Sequence, residues 1–167
     1  MHHVYGRGNE RARIFFDDRD RTTYLRILGR VIGRQGWRCL AYCLMDNHVH
    51  LLIETPRANL GAGMQRLHGL YGQRYNERYR RLGHVFQGRY GSVRVKDDPQ
   101  LFATVAYIVR NPVEAGLCGQ PEGWPWSSHA ATLAGRSPEW LDVDGLLGYF
   151  TALGGEPRLR YAELTTP

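Results

Sequence analysis

Apolar and polar positions along the 167-residue chain change period several times, and each change predicts an element. His3-Val4-Tyr5 through Gly8-Asn9 reads as a short strand closing in a turn, with Arg7, Arg11 and Arg13 clustered around it. The acidic run Asp17-Asp18-Arg19-Asp20 suits a helix N-terminus, and Tyr24, Leu25, Leu28, Val31 and Ile32 then recur at helical spacing. Gly36 marks the stop. Trp37 to Leu44 is rich in β-formers, and the Asp46-Asn47 turn joins it to a second strand, His48 to Glu54. Two strands joined so tightly must run antiparallel. Asn59, as N-cap, opens a helical pattern to about Leu82, with Leu60, Met64, Leu67, Leu70, Tyr71 and Tyr75 inside.

His84 to Lys96 reads as extended chain interrupted by Gly88 and Gly91. Asp97-Asp98-Pro99 starts a helix that carries Leu101, Phe102, Val105, Ile108 and Val109 on its apolar face. Pro112 disfavours helical geometry at Asn111, which predicts that the helix ends there. A short helix follows from Ser127-Ser128-His129 to Gly135, then a weaker one over Asp142 to Leu153. The last dozen residues are expected to be loosely held. This order of elements predicts an α+β fold: an antiparallel sheet of about four to five strands with helices packed mainly on one face.

Composition narrows the class. No apolar run approaches the ~20 residues of a membrane span, and no basic-then-apolar leader opens the chain, so a cytoplasmic protein without membrane association is expected. The net charge is +6, and arginine supplies nearly all of the positive side because Lys96 is the only lysine. Arginine's planar fork suits phosphate and guanine, which with ten tyrosines leans towards a nucleic-acid partner. Three cysteines (Cys39, Cys43 and Cys118) without a CxxC pair argue against disulfides or a thiolate zinc site.

The chemistry concentrates in Met45-Asp46-Asn47-His48-Val49-His50. Side chains alternate along a strand, so His48 and His50 face the same way. Two readings stand at this point: a pair of metal ligands, or a pair of satisfied polar residues at a strand start. Tyr107 and Asn111 lie four apart on one face of the later helix, as core aromatic and helix cap or as something sharper. Taken together, His48, His50 and Asn111 form a candidate set for Mg²⁺ or Mn²⁺, with open positions for phosphate oxygens. Tyr107 is then the candidate nucleophile on phosphorus. A phenol's free pKa of about 10 means that nearby positive charge must help it ionise.

Several segments resemble the REP-associated tyrosine transposases, a bacterial branch of the HUH-type single-strand DNA transposases. They are Arg7-Gly8-Asn9, Ile14-Phe15-Phe16, the run Ala41 to His50, His84 to Tyr90, and Tyr107-Ile108-Val109-Arg110-Asn111-Pro112 through Leu117. They keep family order over roughly residues 3 to 130. The resemblance implies a ferredoxin-like (RRM-like) HUH palm over 1–135, with 136–167 a C-terminal helical extension of the same compact unit. It implies a divalent metal held by His48, His50 and Asn111, where some relatives carry Gln at the last position. It further implies a Tyr107 that cleaves single-stranded DNA hairpins of REP type, leaving a 5′-phosphotyrosine and a free 3′-OH.

Arg7, Asn9, Arg11, Arg89, Tyr90, Arg94 and Lys96 are candidate DNA contacts from charge and position. Two alternatives belong to other classes: a DNA- or RNA-hairpin binder with little cleavage, and a phosphoesterase that uses the histidines directly. The sequence leaves open whether the protein is a monomer or a homodimer.

Overall fold

A computed structural model describes all 167 residues. Four strands form one antiparallel sheet in the order β2-β3-β1-β4: β1 His2–Arg7, β2 Arg38–Leu44, β3 His48–Glu54 and β4 Gly91–Arg94. Helix α1 spans Asp18–Gln35 and α2 spans Leu60–Tyr79. Asp17 caps α1 by accepting from the Asp20 N–H, and Gly36 ends it at φ 66°, a conformation that glycine adopts without a Cβ clash. Helix α3 covers Asp98–Glu114 and is capped by Asp97. Three short helices close the chain: α4 His129–Ala134, α5 Val143–Phe150 and α6 Pro157–Thr165.

The α+β class with an antiparallel sheet is as expected, but the helices divide between both faces rather than packing mainly on one. From Val49 to Ile53 every β3 side chain is buried, so each face of the sheet needs its own cover. Helices α1 and α2 cover the face of Val49, Leu51 and Ile53; there the ring of His68 lies directly over Gly6. Helix α3 covers the opposite face, where Asn111 meets His48.

Four local expectations are corrected. Helix α3 continues through Pro112 to Glu114. The proline forfeits one backbone bond, while the Ala115 N–H still reaches the Asn111 carbonyl and the Leu117 N–H the Pro112 carbonyl. Asn59 precedes α2 without capping it: its amide bridges the Gln35 carbonyl and the Trp37 indole instead. Of the extended stretch 84–96, only Gly91–Arg94 pairs as a strand. The C-terminal residues are firmly held, with Tyr161 and Thr165 fully buried and the Arg110 guanidinium donating to the carbonyls of Leu164, Thr165 and Thr166.

The C-terminal part also seals the outer edge of β2. The Leu44 N–H donates to the Trp126 carbonyl, the Ser128 N–H to the Tyr42 carbonyl and the Asp142 N–H to the Cys39 carbonyl. Residues 136–167 contribute Leu141, Val143, Leu146, Leu147, Phe150 and Tyr161 to the buried core.

Candidate active site

The turn before β3 is fixed from several directions. The Asp46 carboxylate is shared by Arg13 and Arg21, and its carbonyl accepts from the N–H groups of Ile14 and Phe15. Asn47 donates through Nδ2 to the Arg11 carbonyl at 3.0 Å, which aims its Oδ1 at His48 Nδ1, 2.7 Å away. That oxygen can only accept, so the proton of neutral His48 sits on Nδ1 and the lone pair on Nε2.

Asn111 approaches from α3. Its Nδ2 donates to the Tyr107 carbonyl at 3.1 Å, which turns Oδ1 towards His48 Nε2 at 3.4 Å. For neutral His48 this contact sets two lone pairs against each other and is no hydrogen bond. Burial holds the His48 pKa below its ordinary value, outweighing the nearby Asn111, so the neutral form prevails at neutral pH.

His50, on the same face of β3, is buried, and its Nε2 has no partner. Its other nitrogen, Nδ1, lies 3.0 Å from Nε2 of His3 on the neighbouring strand. Burial, with lesser contributions from His48, His3 and Arg7, brings the His50 pKa down to about 3. Burial also lowers that of His3. The rings of His50 and Tyr107 meet edge-on with centroids 5.3 Å apart, and His3 flanks Tyr107 at 5.7 Å. Tyr107 itself is 46% exposed, open to a substrate from solvent.

Three nitrogen and oxygen atoms (His48 Nε2, His50 Nε2 and Asn111 Oδ1) are thus free of proton donors. All are neutral, a donor set suited to a divalent cation whose shell is completed by phosphate oxygens. No group of three or more His, Cys, Asp or Glu side chains that could hold a metal ion occurs in the chain, and here the third member of the set is the amide of Asn111.

The family model described as "Transposase IS200 like" matches residues 1–111, two thirds of the chain, and ends at Asn111. The chain belongs to this family. A curated protein of Haemophilus influenzae (strain Rd), assigned to the REP-associated tyrosine transposases, is 29% identical over 101 residues; the match covers 53% of this chain and 57% of the relative's own length. A solved structure of a REP-associated tyrosine transposase bound to a REP hairpin superposes with a TM-score of 0.66, covering 82% of this chain and 81% of that one at 16% identity. At that identity the likeness is one of fold.

Of the residues singled out from sequence, the structure brings together His48, His50, Tyr107 and Asn111, and Arg7 lines a cavity with His50 and Tyr107. Asn9 and Arg11 sit in the exposed 3₁₀ turn that buttresses Asn47. Arg89 and Tyr90 line a separate cavity with His68, against α2. Arg94 pairs with His2 in register, one residue out of phase with His3, and so faces away from Tyr107. Lys96 lies just beyond β4, where its backbone N–H donates to the Gln100 side chain. His3 and Tyr5 are site residues that the sequence reading missed. The register pairs Tyr5 with His50 and so turns both β1 side chains towards Tyr107.

Proposed function

We propose that this protein is a divalent-metal-dependent endonuclease and strand transferase for single-stranded DNA, acting on hairpins of the kind bound by its structural relative. The observation that carries this reading is the set of facing lone pairs on His48 Nε2 and Asn111 Oδ1. It stands beside the unpartnered His50 Nε2 and next to an exposed tyrosine. A cation between such atoms turns a repulsion into coordination.

Mg²⁺ or Mn²⁺, when bound, supplies Lewis-acid polarisation of the scissile phosphate. The chain's own groups do the rest. Asn47 and Asn111 keep the His48 lone pair aimed inward, and Arg7 offers a cation to the DNA backbone. The Tyr107 phenolic oxygen attacks phosphorus and its proton passes to water; the P–O3′ bond breaks and the 3′-oxygen takes up a proton. The product is a 5′-phosphotyrosine and a free 3′-OH, and the reverse reaction joins strands. The covalent bond conserves the phosphodiester energy, so no nucleotide cofactor is consumed.

The test is incubation of the protein with labelled hairpin DNA carrying single-stranded flanks in the presence of Mn²⁺. A denaturation-resistant adduct is expected, absent in Tyr107→Phe and strongly reduced in His48→Ala and His50→Ala. An adduct that survives Tyr107→Phe would remove the nucleophile, and cleavage without any adduct would point to hydrolysis.

A further inference from the structure

A cavity of about 410 Å³ opens beside Tyr107 on the side of β4, within the size range of small-ligand sites. His50 and Tyr107 form one wall. The rest of the lining includes Tyr5, Arg7, Val93 and Gln100, groups with no part in binding a metal or attacking phosphorus. We propose that this cavity is a base-binding subsite for the nucleotide adjoining the attacked phosphate, and that it selects a keto base, thymine or guanine. The inference rests on the function proposed above and adds to it a source of sequence preference.

Tyr5 supplies the platform. Its ring lies flat across Gly91 of the adjacent strand, where a Cβ would fall 2.2 Å from Tyr5 Cζ. Only glycine at that position lets the ring settle on the sheet. Yet Tyr5 remains 42% exposed, so the ring is backed by the Gly91 backbone and still open in part to solvent. An aromatic ring backed in this way and still open in part is what a nucleobase stacks on.

Gln100 supplies the reading edge. It lies on α3, seven residues before Tyr107 and on the same side of the helix. Its Oε1 accepts from the Lys96 N–H at 2.9 Å, so the carboxamide cannot turn round. The Nε2 hydrogens are left as free donors towards the cavity. At the 4/6 position of a base, where thymine (O4) and guanine (O6) carry a keto oxygen and cytosine and adenine an amino group, a side chain that only donates favours the keto bases. Arg7, exposed at the rim, is placed for the neighbouring phosphate.

The experiment uses hairpin oligonucleotides with randomised single-stranded flanks. Adducts formed in Mn²⁺ by the wild type, Tyr5→Ala, Tyr5→Phe and Gln100→Glu are sequenced. The wild type is expected to enrich thymine or guanine about tenfold at one of the two nucleotides flanking the cleaved bond. Tyr5→Phe keeps that preference and Tyr5→Ala loses it. Gln100→Glu, an acceptor in place of a donor, shifts it towards adenine or cytosine. Equal enrichment in all four proteins, or none in the wild type, overturns the subsite. A second readout needs no chemistry: 6-methylisoxanthopterin, a fluorescent guanine analogue that keeps the keto oxygen, placed at the flanking position and bound to Tyr107→Phe protein, is quenched by stacking. Quenching that survives Tyr5→Ala overturns the platform, and quenching that it abolishes supports it. Should no protein form an adduct, the proposed function falls while the fluorescence result still decides the subsite.

Discussion

Asn111 Oδ1 and His48 Nε2 lie 3.4 Å apart, each presenting a lone pair to the other because each partner amide or ring is pinned from behind. A cation is the natural occupant of such a gap, and binding to the folded state alone stabilises it. At a hundredfold excess over Kd the gain is about 2.7 kcal/mol, or roughly 5–10 °C in Tm for a chain of this size. Mn²⁺ is therefore expected to raise the wild-type Tm, and to do so little or not at all in His48→Ala or Asn111→Leu. Calorimetric scans with and without metal decide it. An equal shift in all three proteins would place the ion elsewhere.

His3 is expected to matter through His50. If Nε2 of His50 is to stay free of a proton, its Nδ1 must carry one and donate it to His3 Nε2, 3.0 Å away. His3→Leu removes that acceptor and is expected to weaken Mn²⁺ affinity by about 10–100-fold. His3→Gln, which keeps an acceptor oxygen, restores part of the loss. Titration calorimetry on the metal-binding step, with long-range ¹H–¹⁵N NMR reporting the His50 tautomer, separates this role from a general loss of packing.

Elements of this site differ in how far sequence exposes them. The shared face of His48 and His50 follows from strand alternation, and that of Tyr107 and Asn111 from helical spacing; both are local. His3 and Tyr5 enter through the register of β1 against β3, Tyr5 opposite His50, and nothing within β1 specifies a register. The same holds for the Asn47–His48–Asn111 chain, whose meaning depends on which amide end is tied down. Pro112 misled because a local preference was outweighed: α3 is held along its length by buried Leu101, Val105, Ile108 and Val109. Tyr161 misled in the opposite sense, its burial created by α4 and α5, elements with weak patterns of their own.

Acid is expected to destabilise the metal-free protein through its buried histidines. The folded pKa of His50 is about 3 and that of His68 about 4, both lowered first by burial, against about 6.5 in an unfolded chain. Between these values the unfolded state binds more protons, so stability rises with pH and is lost as pH falls from about 6.5 towards 4. His50→Gln and His68→Gln are each expected to flatten that slope. Urea denaturation at pH 7 and pH 5 measures it, and an unchanged slope in both variants would assign acid sensitivity to other groups.

The C-terminal helix is expected to be part of the folding unit. Tyr161 is fully buried with its hydroxyl 3.0 Å from His129 Nδ1, and Arg110 caps the end of α6 from within α3. Tyr161→Ala should cost about 3–5 kcal/mol, as for other large buried aromatics. Arg110→Met, which strands the last carbonyls, should cost about 1–3 kcal/mol. Chemical denaturation followed by circular dichroism checks both. A near-neutral Tyr161→Ala would mean that α6 docks independently of the core.

The seal along β2 has a consequence for assembly. With Trp126, Ser128 and Asp142 occupying its outer hydrogen bonds, the sheet has a free border on one side alone, at the four residues of β4. A second copy seeking to prolong the sheet has no choice of strand: it must lie against Gly91–Arg94. That border flanks the Tyr107 cavity through Val93, so any dimer built by strand addition would set the two Tyr107 cavities beside its seam.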